Sequence, residues 1–94
     1  MDCKKPHFSR RAFERMFQRG IDPDAVAQIV SSGEDIANYP DDQPFPSTLI
    51  LGFHGGQPVH AVVARDPGSG ECQVVTIYRP DPVMWDDAYK KRRS

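Results

Sequence analysis

The sequence predicts an α+β domain in which an N-terminal helical hairpin packs on an antiparallel sheet of three or four strands. Three observations predict it. Two apolar-striped segments in the first third carry helix start and stop signals and are separated by Gly20-Ile21 alone. After residue 34 the apolar residues change to β-branched, alternating runs divided by Gly and Pro clusters. The 94 residues leave room for one domain with one core, spanning residues 1–94, with 1–7 and 88–94 expected as mobile tails.

Ser9 is suited to cap the first helix, because its hydroxyl accepts an amide that has no partner in the first turn. Nothing breaks a helix from there to Arg19, and Gly20 tolerates the positive φ that ends one. Ala12, Phe13, Met16 and Phe17 fall on one stripe at helical spacing. Asp22 caps a second helix, Pro23 occupies its first position and Gly33 stops it, with Val26, Ile29 and Val30 as its buried stripe. The two-residue connection implies an αα-hairpin.

Strands are expected over residues 34–39, 48–54, 57–65 and 72–79. A proline-rich loop fills 40–46, and Gly55-Gly56 supplies the positive φ values of a two-residue hairpin turn. That turn pairs Leu51 with His60 and Leu49 with Val62. A four-residue loop at 67–70 then pairs Val62 with Val75 and His60 with Ile77. In this register Leu49, Leu51, Phe53, His60, Val62, Val75 and Ile77 form the face under the helices. A slip of one residue in the second loop would turn every side chain of the last strand over. Met84, Trp85 and Tyr89 are placed to pack back on the body.

The net charge of −1 conceals a split. Residues 1–19 carry six basic side chains against two acidic ones, +4. Residues 20–47 carry six acids and no Lys or Arg, −6, and the remainder is +1 and ends in Lys90-Lys91-Arg92-Arg93. Such a split separates an anion-attracting from an anion-repelling region, or simply solvates a surface. The two cysteines, Cys3 and Cys72, form no framework. With no leader pattern and no apolar run of about 20 residues, the expectation is no disulfide, no membrane and a cytoplasmic protein.

Among chemistry-bearing residues, histidines and cysteines show no paired ligand spacing, so no metal is expected. No phosphate loop or dinucleotide fingerprint is present, so no cofactor is expected either. Arg11, Arg15 and Arg19 recur every fourth residue and line one helix flank. Either they contact phosphate, for which the guanidinium fork is suited, or Arg15 and Arg19 pair with the acids of 34–42. His60 lies in a strand between apolar neighbours, as a satisfied structural histidine or a proton-transfer group. Tyr78 and Arg79 end the last strand, where they either pack and pair or present a proton and a cation at the sheet rim.

The stretch FSRRAFERMFQRGIDPDAVAQIVSSGEDIANYP, with PVHAVVA and VVTIYRPDPVMW, resembles the bacterial domain-of-unknown-function family 4258 over residues 8 to about 86. That family usually has histidine where this chain has Arg11. Its members in turn resemble small ribonuclease toxins of the RelE/ParE type, some of them encoded beside antitoxins. The resemblance implies a metal-independent endoribonuclease of a toxin–antitoxin module, with RNA as substrate and a cognate antitoxin as protein partner. In that reading His60, Tyr78 and Arg79 are catalytic, and Arg11, Arg15 and Arg19 bind phosphate. The alternative is a non-catalytic protein- or RNA-binding module. A homodimer through an exposed Ile50, Val59 and Val63 strip is a third reading.

Overall fold

The computed structural model describes residues 1–3 and 6–93. Its elements are β1 (Pro6–Phe8), α1 (Arg10–Arg19), α2 (Pro23–Ser32), β2 (Glu34–Tyr39), β3 (Ser47–His54), β4 (Gln57–Arg65) and β5 (Cys72–Tyr78). The five strands form one mixed sheet in the order β1-β5-β4-β3-β2. Its pairs are antiparallel except β1–β5, which is parallel. The expected helical hairpin on a three- or four-stranded antiparallel sheet is therefore wrong in two respects.

The first is the extra strand. Pro6–Phe8, whose first two residues belong to the expected N-terminal tail, pairs with Cys72–Val74 along the outer edge of β5. Proline is tolerated there, at the first residue of an edge strand, where its missing donor breaks no central ladder. Residues 4, 5 and 94 of the expected tails lie outside the described residues. Cys3 and Cys72, the latter opening β5, are joined by a disulfide across a sequence separation of 69. The expectation of no disulfide is thus corrected. Disulfides persist in oxidising compartments, so the reasoning toward a reducing cytoplasm loses its premise. Among the described residues, no helix is long and apolar enough to cross a membrane.

The second concerns the helices. Both form where their caps place them: Ser9 accepts the Ala12 amide and Asp22 accepts the Ala25 amide, while Gly20 takes φ +66. They do not pack as a hairpin, however. α1 lies on β5 and β1, and α2 lies on β3 and β4. Each stripe is spent on the sheet, and only part of the α1 stripe is buried. Ala12 and Met16 are enclosed, whereas Phe13 is 51% and Phe17 90% exposed.

The hairpin register is as expected, with Leu51 opposite His60 and Leu49 opposite Val62. Between β4 and β5 the expected pairing holds from Arg65 to Val63, which oppose Cys72 to Val74. A β-bulge then shifts the ladder by one, so Val62 opposes Thr76 and His60 opposes Tyr78 rather than Ile77. A bulge adds one residue to one strand and moves every later side chain. Val75 is that residue, and its carbonyl accepts the Ser9 hydroxyl at 2.7 Å.

Apart from Ile77, which the bulge returns to the helix side, the face under the helices is the opposite of the one expected. Ile50, Val59, Ala61, Val63, Val74 and Ile77 join Ala12, Met16, Val26, Ile29 and Val30 in the core. The strip proposed for a dimer, Ile50, Val59 and Val63, is wholly buried there. Gly52 shows why α2 takes this face: a Cβ on it would lie 2.5 Å from Ile29 Cγ2, so the helix seats where the strand has no side chain. Leu49, Leu51 and His60, buried on the other face, lie on the side where the C-terminal segment returns. That segment is tied by Asp86 N to Lys91 O and Arg93 N to Met84 O.

Two substitutions test this account. Ser9→Ala removes a helix cap and leaves the Val75 carbonyl without its donor, and is expected to cost about 1–2 kcal/mol in urea unfolding. Gly52→Ala forces α2 away from β3 and is expected to cost about 1–3 kcal/mol by the same measurement, without changing oligomeric state.

Candidate functional site

The residues read as one site fall into two groups on opposite faces of the sheet. His60 alternates with Val59 and Ala61, which enter the helix-side core, so its ring points to the other face. The bulge brings Tyr78 alongside. His60 is 0% exposed, with Nε2 2.8 Å from the Tyr89 carbonyl and Nδ1 3.1 Å from the Tyr78 hydroxyl. A carbonyl only accepts, so Nε2 carries the proton and Nδ1 accepts from Tyr78. Trp85 meets the imidazole edge-on with ring centroids 4.4 Å apart. Burial lowers the His60 pKa below its ordinary value, partly opposed by the bond to Tyr89, and burial raises that of Tyr78. Both groups are held neutral and satisfied. Trp85 and Tyr89 were legible as packing residues, but nothing in the sequence linked them to His60.

Arg79 follows Tyr78 at the strand end and is half-buried, and its Nη1 has no hydrogen-bond partner among the described residues. A cleft of about 610 Å³ lies between the end of α2, the β3–β4 hairpin and the C-terminal segment, lined in part by Ser32, Gly52, His54 and Lys90. Its charges are self-compensated, because Lys90 pairs with Glu34 at 3.0 Å.

The second group is on α1. Arg11 and Arg19 are exposed and Arg15 is half-buried. Among the described residues, none of the three has an ion pair or a hydrogen bond, so the expected pairing with the acids of 34–42 does not form. Apart from Arg79 and Lys91, the other described cations are engaged. Arg10 pairs with Glu14, Arg65 donates to the Asp2 carbonyl, Arg92 lies over Trp85 and Arg93 binds Asp87 at 2.9 Å. Three of the four cations of the C-terminal run, Lys90, Arg92 and Arg93, are thus engaged internally, while the helical row is not. Among the described residues, no group of three or more His, Cys, Asp or Glu side chains is arranged to hold a metal ion.

A five-stranded mixed sheet with two separate helices on one face and a C-terminal cover on the other defines a small two-layer domain. The chain belongs to the domain-of-unknown-function family DUF4258, whose model residues 8–79 match. The match spans α1 to the end of β5 and names no activity. No curated protein and no solved structure matches the chain, and the likeness to RelE/ParE toxins gains no support from the comparisons.

The histidine cluster makes a pH prediction. Since the folded pKa of His60 is depressed, the unfolded chain binds the proton first as pH falls. Its contribution is complete above about 6.5 and is lost as pH drops from there toward the lowered folded value. Urea midpoints between neutral and mildly acidic pH are expected to decline for the native chain. In His60→Gln the midpoint at neutral pH is expected to be lower and the decline across this range flatter.

Proposed function

We propose that the protein is a non-catalytic RNA-binding module that seats a phosphate backbone on the arginine row of α1. The observation that carries this reading is the row itself: Arg11, Arg15 and Arg19 lack partners among the described residues and share one helix flank, while Arg10, Arg65, Lys90, Arg92 and Arg93 are engaged and the unpartnered Arg79 and Lys91 belong to no row. Three like charges stacked at i, i+4 spacing repel one another by a few tenths of a kcal/mol per pair. A polyanion offsets that repulsion and offers each guanidinium a bidentate acceptor.

Cleavage through the RNA 2′-hydroxyl needs a base within hydrogen-bond reach of the attacking oxygen. His60 and Tyr78 are the residues expected to fill that role. His60 is enclosed, bonded at both nitrogens, and separated from the row by the sheet. The geometry therefore favours binding over an endoribonuclease.

Fluorescence anisotropy of a labelled RNA across a salt series tests this. Three phosphate contacts give a slope of log Kobs against log salt of about −2 to −3. Arg11→Ala/Arg15→Ala/Arg19→Ala is expected to remove most of that slope, and the RNA should stay full-length on a gel. Salt-independent or absent binding overturns the reading, and cleavage that survives purification restores the nuclease.

A further inference from the structure

We infer that the RNA is taken single-stranded, with unpaired bases stacked on Phe17 and Phe13; this rests on the arginine row being the phosphate site. Phe17 is 90% and Phe13 51% exposed on a helix whose remaining apolar residues, Ala12 and Met16, are buried. Exposed side by side at i, i+4, two aromatic rings form a patch that ordinary surfaces avoid. Beside them is a shallow, mostly apolar hollow of about 420 Å³ lined by Phe13, Met16, Phe17, Ile21 and Pro23, with Asp22, whose carboxylate caps α2, at its edge. The Phe13 ring is set from below by Phe8, whose centroid is 5.3 Å away, while Phe17 stands free. One ring is positioned in advance, and the other is open on its face.

Charge selects the occupant. At about 100° per residue, the phenylalanines lie on one flank of the buried stripe and the arginine row on the other. Arg10, Glu14 and Gln18 form the crest between them, with the Arg10 side chain 94% exposed. The occupant must offer negative charge on one side and flat apolar groups on the other. An unpaired strand does so, because it can lie across the helix with phosphates on the row and bases swung onto the rings. A duplex keeps its base faces stacked inside and can use only the row.

The test is anisotropy with labelled oligoadenylate, alone and annealed to oligouridylate, at low salt. The native chain is expected to prefer the single strand. Phe17→Ala is expected to lose about tenfold in single-strand affinity with an unchanged salt slope and unchanged duplex binding. Phe17→Trp should restore it; the 90% exposure of Phe17 means neither variant should disturb folding. Equal affinity of Phe17→Ala and the native chain for the single strand overturns the stacking proposal but leaves the arginine reading standing. Failure of the native chain to bind either form defeats both. A self-association detected by sedimentation that Phe17→Ala abolishes, with no polynucleotide binding, assigns the patch to protein contact and overturns the proposal.

Discussion

Ser9 donates its amide to the Val74 carbonyl at 3.0 Å and its hydroxyl to the Val75 carbonyl at 2.7 Å, while the same oxygen accepts the Ala12 amide at 3.0 Å. One serine thereby joins three structures that would otherwise be set independently: the edge strand β1, the first turn of α1 and the bulge in β5. The bulge turns an extra carbonyl out of the ladder, and a carbonyl turned out of a ladder needs a donor. A hydroxyl can donate and accept at once, so it satisfies that carbonyl and the helix cap together. The position of α1 over β5 and the register beyond Val75 are then one constraint. Without the extra residue, Ile77 would face away from the core and His60 would lose its phenolic partner.

The consequence is a sheet with two different coverings. On one side, small β-branched residues and Gly52 admit the helices closely and bury the main core. On the other, a single buried histidine organises the aromatic side chains of the C-terminal segment. An imidazole in such a place must be satisfied at both nitrogens, since each unmade bond costs about 1–3 kcal/mol. Tyr78 and the Tyr89 carbonyl do this. Asp86, whose carboxyl is held below the usual range chiefly by the Lys90 amide, shapes the turn that delivers Tyr89. His60, Tyr78 and Asp86 are thus spent on holding the cover, and the row of unpaired arginines lies across the sheet on α1.

Much of this was legible one element at a time. Ser9, Gly20, Asp22, Pro23 and Gly33 marked both helices, and alternating β-branched runs marked four strands, because caps and periodicity are local physics. The rest depends on contacts between distant segments. Pro6–Phe8 is too short to show a period, and it becomes a strand only because β5 offers an open edge. The Cys3–Cys72 pairing follows from that strand and was invisible without it. The single added residue at Val75 leaves no mark in composition. Both faces of β3 and β4 read as apolar, so face choice was open. The legible clue was Gly52, a strand glycine that signals close approach of another element. Phe13 and Phe17 satisfied the helical stripe rule, but α1 rests on the two strands at one edge of the sheet, which covers less than the full stripe.

The near-neutral net charge is no obstacle to a polyanion site, because the sheet keeps the charges apart. β2 holds the far edge, with Glu34 and Asp35 in it and Asp41 and Asp42 in the loop that follows, whereas α1 lies over β5 and β1. From β5 to β2 there are three strand spacings, roughly 14 Å at about 4.8 Å each. At physiological ionic strength the screening length is about 8 Å, so the acidic edge hardly reaches the arginine row. Of those acids, Glu34 is already paired with Lys90, and the Asp42 carboxylate accepts the Ser47 hydroxyl at 2.6 Å. Asp22, nearer to α1, accepts the Ala25 amide at 2.7 Å. A strand approaching the molecule meets local fields rather than the sum: repulsion at the β2 edge and attraction at α1. Charge averaged over 94 residues describes neither.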